Sequence, residues 1–322
     1  TMSESVSGLA ISQQGDEIQV VAVGANGQIE LATGTRQSSL TASLNPESVP
    51  EYEWNVARSE AQVSDASRVF IDGDHQHVFA LDSDDRLLAF SIRGLHEGGA
   101  EPFSSDAIAN QPGKVVDAEM LVGGRSLMIA DDQGQIGQWF FDVRSGELLL
   151  HQARVFLAAQ VPLYQLESDQ RQKNIGVVDI NGVFRLFNTT ADRLLAEQAL
   201  IGEGIEAMTI SPRGDLLLTE SKSGKFQTYR IDSPHPEISW SALWKRVWYE
   251  GYPDPDFVWQ SSASGKFYEP KYSLMPLTFG TLKAAFYAML LAAPLAVCGA
   301  IFTGYFMAPG MRRTVKPLVE LM

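Results

Sequence analysis

This sequence is almost without cysteine. Its single thiol, Cys298, lies inside an apolar run, which excludes a disulfide framework and the small cross-linked scaffolds built on one. Basic charge is also scarce, with 25 Lys and Arg against 39 Asp and Glu, for a net charge of −14. Before Leu277 the imbalance is sharper, 21 basic residues against 38 acidic, a net of −17. A surface of that sign repels polyanions, so nucleic-acid binding is set aside. No glycine-rich loop ends in Lys-Ser or Lys-Thr, which removes a phosphate cradle for ATP. No serine or cysteine nucleophile constellation is visible, and no cofactor site can be read. From Thr1 to about Ile231 there is no sustained 3.6-residue period, which argues against a helical domain.

What fills that stretch instead is a repeated hairpin. It occurs at Val20–Leu31, Val78–Phe90, Leu127–Phe141, Ile175–Phe187 and Leu216–Tyr229, each an apolar run, a polar turn and a second run. Gly27, Asp85, Gly134, Gly182 and Gly224 hold the last turn position, at spacings of 58, 49, 48 and 42 residues. Units of that length with four strands are propeller blades. In the third unit the outer strands fall at Val115–Leu121 and Leu148–Val155. The sequence thus predicts a mainly β chain whose residues 1–232 form a propeller-like domain. Five repeats are visible, and a full ring of six or seven is expected. An irregular β-sandwich is the alternative. Thr41–Asp65, with Pro46, Pro50, Tyr52 and Trp54, reads as a loop between blades, and Gly94–Gly113 as a second insertion.

Residues 233–276 read as a linker with a tryptophan-rich amphipathic helix. Trp240, Trp244 and Trp248 stand at i, i+4 and i+8, which places three indoles on one helical face. Ser239 is a candidate cap, Gly251-Tyr252-Pro253 a stop, and Trp259 follows closely. Two readings are open: a helix on the bilayer surface, where tryptophan concentrates, or a face packed on the propeller.

Residues 277–322 contain the only long chargeless run. Ala284–Met311 is 28 residues without a charge, more than the ~20 needed to cross a bilayer. Lys283 precedes it, and Arg312, Arg313 and Lys316 follow, so the acidic domain is expected on the non-cytoplasmic side. A buried helix of a soluble core is the alternative. Pro294 predicts a kink, and Ala285, Ala288, Ala292, Ala296, Gly299 and Ala300 predict close packing against other helices.

Phe279–Met322 closely resembles the first conserved helix of phosphate ABC importer permeases of the PstC type, and Glu237–Ser264 resembles the segment before it in long proteobacterial members. Those members carry a large periplasmic domain after their first transmembrane helix. The resemblance rests on about 85 positions from Glu237 onward; the propeller-like half fits only by position and size. It implies a permease subunit of an ATP-driven phosphate importer in the inner membrane, with the propeller in the periplasm contacting a phosphate-binding protein. It also implies a second permease subunit and cytoplasmic ATPase subunits as partners, with the lipid bilayer around them. ATP hydrolysis would belong to the partner, so no catalytic residue is expected here. The chain is expected to be a fragment, because the Glu-Ala-Ala coupling loop of that family does not occur in it. A tethered propeller acting as a binding or sensing module is the competing reading.

Three weaker patterns complete the inventory. His75 and His77 could share a strand face as metal ligands, but they sit at a polar turn. Asp72, Asp74, Asp82, Asp84 and Asp85 lack the spacing of a calcium loop. Gly202-Glu203-Gly204 opens a string that resembles a dinucleotide fingerprint but lies between blades rather than at a strand-to-helix turn.

Overall fold

A computed structural model describes residues 5–37, 51–63, 65–98, 101–144, 147–201, 204–262 and 269–321. Five antiparallel sheets follow one another along the chain. The first holds β1 (Val6–Gln14), β2 (Glu17–Gly24), β3 (Gln28–Arg36) and β4 (Tyr52–Gln62), hydrogen-bonded in that order. The second holds β5 (Arg68–Ile71), β6 (His77–Leu81), β7 (Leu87–Ser91) and β8 (Phe103–Ser105), and the third β9 (Val115–Met120), β10 (Ser126–Asp131), β11 (Gln135–Arg144) and β12 (Glu147–Leu157). The fourth holds β13 (Leu163–Ser168), β14 (Asn174–Asp179), β15 (Val183–Asn188) and β16 (Arg193–Ala199), while the fifth has three strands, β17 (Ile205–Ile210), β18 (Leu216–Ser221) and β19 (Phe226–Arg230).

These are propeller blades, and the core shows why. It lies in successive layers between neighbouring sheets rather than in one sandwich. Val21, Leu31, Val69, Ile71 and Phe90 fill the first layer, and Phe79, Leu127, Ile129 and Trp139 the second. Met128, Ile136, Ile175 and Phe187 fill the third, and Val178, Phe184, Met208 and Leu217 the fourth. A middle blade is therefore apolar on both faces, and all six residues of β14 are buried.

The register marks have a backbone reason. Gly27, Asp85, Gly134, Gly182 and Gly224 all adopt positive φ, from 60° to 84°. Blades also touch backbone to backbone: Gly73 N donates to Gly124 O at 2.9 Å, and a Cβ on Gly73 would stand 1.9 Å from Gly123 O. Gly73→Ala should therefore destabilise the propeller by about 1–3 kcal/mol, the usual cost of overpacking, measured by urea unfolding. Wild-type stability would show that the blades can part there.

Two loop expectations are corrected. Thr41–Asp65 is not an inter-blade loop, because β4 runs through it as the fourth strand of the first blade, with Ala32 opposite Val56 and Gly34 opposite Trp54. Pro46 and Pro50 lie outside the described residues. Gly94–Gly113 contains β8, the fourth strand of the second blade, after a short helix α1 (Ile92–His96) capped by Ser91. The outer face of the first blade remains uncovered, with Leu9, Ile11 and Val56 about 60% exposed.

Beyond the blades, α2 (Trp240–Trp244) and the pair β20 (Trp259–Gln260) and β21 (Lys271–Tyr272) lead to α3 (Met275–Ile301). A π-helical turn (Phe302–Phe306) and α4 (Pro309–Leu321) follow. The helix begins before Ala284 and does not reach Met311. The helical run ends where Met307 turns extended, two residues ahead of Pro309. Met275–Phe306, 32 residues, is apolar and long enough to cross a membrane, and no residue of its most apolar stretch is buried.

Candidate functional site

The segment from α2 to β21 is a strap that joins the propeller to the apolar helix, and polar groups buried under it fix its position. Lys173, in the turn before β14, donates to Glu250 Oε2 at 2.5 Å and to Val122 O at 2.5 Å. Ser126 Oγ donates to Glu250 Oε1 at 2.6 Å. Arg154, on β12, donates to Gln138 Oε1 at 2.7 Å and to Trp248 O at 2.6 Å. Thr190 donates to Glu269 Oε1, and burial followed by repulsion from Glu250 raises the Glu269 pKa. Lys271 stands 5.4 Å over the Tyr249 ring and 5.7 Å from that of Tyr252. Ser239 and Ser241 both donate to Ala191 O. The strap thus closes on the edges of the third and fourth blades.

The four strap tryptophans separate into different environments. The helix carrying Trp240 and Trp244 is five residues long, shorter than the i, i+4, i+8 spacing suggests, and Trp248 lies beyond it. The chain leaves helical geometry at Lys245, and Val247 bridges to Asp256. Trp248 packs edge-on against Phe140 of the third blade at 5.6 Å, and its indole N–H donates to Tyr252 O at 2.8 Å. Trp240 and Trp244 stack on each other at 6.5 Å, and Trp240 is 79% exposed. Trp259 meets Tyr272 edge-on at 5.8 Å. Leu274 N donates to Leu243 O at 2.9 Å, so the first turn of α3 is pinned to the helix bearing the exposed indole pair.

On α3, Lys283 stands 5.9 Å from the ring of Tyr287, and Pro294 lies within the helix. Arg312, Arg313 and Lys316 are on α4, a separate helix. Arg312 reaches back to Gly304 O at 2.6 Å and Met307 O at 3.3 Å, tying α4 to the end of the apolar segment.

A second site lies on the propeller axis. The first strands of the blades surround a cavity of about 1170 Å³ with Arg68, Glu119, Ser168 and Arg171 in its wall. Asp117 accepts from Arg68 Nε at 2.9 Å and from Leu166 N at 2.8 Å, linking the second, third and fourth blades. Two residues along β9, Glu119 accepts from Ser168 Oγ at 3.2 Å. Burial lifts the Glu119 pKa from 4.5 to about 7, and repulsion from Glu167 and Asp117 adds to it. Burial also raises Glu167, which accepts from Thr209 Oγ1 at 2.7 Å. Glu119 is thus a carboxyl that gains and loses its proton near neutrality. No sequence pattern marks it, since its neighbours come from three strands far apart in the chain.

Asp72 and Asp82 turn their carboxylates inward onto their own loops. Asp72 accepts from Gln76 N and His77 N, and Asp82 from Asp84 N and Arg86 N. Among the described residues no three His, Cys, Asp or Glu stand together as metal ligands. Gly202 and Glu203 lie outside the described residues. The chain matches no known family model and no curated protein.

Proposed function

We propose that this chain is the propeller and first core helix of a permease subunit of an ATP-driven phosphate importer, with the propeller on the periplasmic side of the inner membrane. The observation that carries the reading is the helical segment Met275–Phe306, in whose most apolar stretch no residue is buried by the rest of the protein. Such a surface needs lipid or other helices around it. Within it lies most of Phe279–Met322, the stretch that resembles the importer permeases. The charge distribution agrees with the orientation, acidic before the span and Arg312, Arg313 and Lys316 after it.

In this reading the strap holds the propeller at a set position over the membrane. Trp240 and Trp244, beside the first turn of α3, lie at the headgroup level, and the propeller contacts the phosphate-binding protein. A second permease subunit and the ATPase subunits complete the transporter, and ATP is hydrolysed on those partners. Phosphate uptake by intact cells tests the proposal. Deleting the gene should abolish ATP-dependent uptake at micromolar phosphate, and the intact gene should restore it. Undiminished uptake in the deletion strain refutes the transporter reading. The propeller would then be better read as a tethered binding module, which its axial cavity favours.

A further inference from the structure

We infer that the cleft between the first and second blades is a binding site for a small organic ammonium ion, held by Glu17, Gln19 and His75. The interface between these blades changes character along its length. Val21, Leu31 and Val69 pack it apolar at one end. At the other a polar row crosses the first blade, Ser12 opposite Gln19 and Gln19 opposite Thr33, all on one face. Ser12 Oγ meets His75 Nε2 at 2.8 Å, and Thr33 Oγ1 meets His96 Nε2 at 3.2 Å. Between these two bridges opens a cleft of about 720 Å³, with Glu17, Gln19, His75, His77 and His96 in its wall.

Among the described residues, two buried atoms in that wall have no hydrogen-bond partner, Gln19 Oε1 and His75 Nδ1. Gln19 is 2% exposed and the His75 side chain 5%. Such groups are rare in folded proteins, because each forfeits its bond to water with nothing in return. Glu17 binds them into one acceptor set: its Oε1 accepts from Gln19 Nε2 at 2.8 Å and stands 3.6 Å from His75 Nδ1. His75 is held there at a φ of 53°, a left-handed conformation that a non-glycine residue adopts at a cost.

The vacant acceptors define the ligand. The site requires the His75 tautomer that donates from Nε2 to Ser12 Oγ, which leaves a lone pair on Nδ1. Gln19 Oε1 presents another, and Glu17 supplies the negative charge. A primary ammonium carries three N–H donors and one positive charge, which answers all three groups. A divalent metal would want further nitrogen or carboxylate ligands, and the described residues offer no such set. The acidic surface of the domain concentrates organic cations around the mouth. This inference does not rest on the transport reading.

Calorimetric titration of the full chain in detergent with 1,4-diaminobutane, and separately with methylammonium, tests it. Saturable binding of the amines is expected, weakened at least tenfold by Glu17→Gln and by Gln19→Leu. Gln19→Leu should also leave the melting temperature unchanged or raise it, because water can replace the bond it gives up to the 43% exposed Glu17 carboxylate while a buried acceptor without a donor is removed. Lost binding in a variant that melts no lower separates a ligand group from a packing group. The proposal is overturned by absence of saturable amine binding to wild type at 10 mM, roughly a thousandfold weaker than a ~10 µM site. Amine binding that both substitutions leave intact, or saturable heat with zinc alone, overturns it equally.

Discussion

Lys173→Met is expected to destabilise the closure of the strap on the propeller by about 3–5 kcal/mol, the cost of leaving one partner of a buried ion pair without the other. The side chains of Lys173 and Glu250 are 6% and 8% exposed, and the pair is 2.5 Å apart. Methionine fills the volume but leaves Glu250 under the strap without its cation, with the Ser126 hydroxyl as its remaining close donor among the described residues. Val122 O loses its bond to Lys173 as well. The stranded Glu250 therefore draws the strap toward water. Hydrogen exchange reads the result directly, because amides near Tyr249 and Val247 should lose protection while β10 and β14 keep theirs. The double variant Lys173→Met, Glu250→Gln should lose clearly less than the two single losses added together, since the second change removes the charge stranded by the first. Additive losses, or a single loss below about 1 kcal/mol, would mean that the ion pair adds little to what the Trp248 packing and the Arg154, Ser239 and Thr190 bonds already hold.

That pair also shows where reading from sequence stops. The blades were legible because their signal is local. A turn needing positive φ recurs at Gly27, Asp85, Gly134, Gly182 and Gly224, and the flanking runs alternate or stay apolar according to which faces are covered. The fourth strands of the first two blades were not legible, because β4 follows a proline-containing stretch and β8 is three residues long. The tryptophan spacing suggested one helix because periodicity is blind to distant partners. Phe140 is more than 100 positions from Trp248, and its ring holds the indole where a helix would have turned it away. The cavity carboxyls, the Lys173–Glu250 pair and the polar row facing His75 are assembled in the same way, by strands meeting across blade boundaries. Turns and strands are written in neighbouring residues, whereas these sites are written in the stacking.

The propeller should lose stability as pH rises toward neutrality, and Glu119→Gln should remove part of that loss. Glu119 titrates at about 7 in the folded protein against 4.5 for a free carboxyl, so between those values the folded state holds a proton that the unfolded state has released. Unfolding then releases a proton, and stability falls as pH climbs from 4.5 to about 7 and levels off above it. The direction is opposite to that of a carboxylate held by an ion pair. A shift of that size corresponds to about 3 kcal/mol between pH 4.5 and 8. The physical cause is that an ionised Glu119 must sit in the cavity wall near Asp117 and Glu167, with one hydroxyl, that of Ser168, bonded to it. Glutamine keeps the shape and that bond and carries no charge at any pH. Urea unfolding at pH 5 and pH 8 measures the effect. Wild type should be clearly weaker at pH 8, and Glu119→Gln should fall less between the two, with Glu167 and Glu269 still contributing, and be more stable than wild type at the higher. Equal pH slopes in the two proteins would show that the cavity solvates the Glu119 carboxylate as well as bulk water does. A ligand that brings positive charge to the axis would reverse the order. It would favour the ionised form, and its binding to the folded protein should release a proton near neutral pH, a quantity that calorimetry in buffers of different ionisation heat reads out.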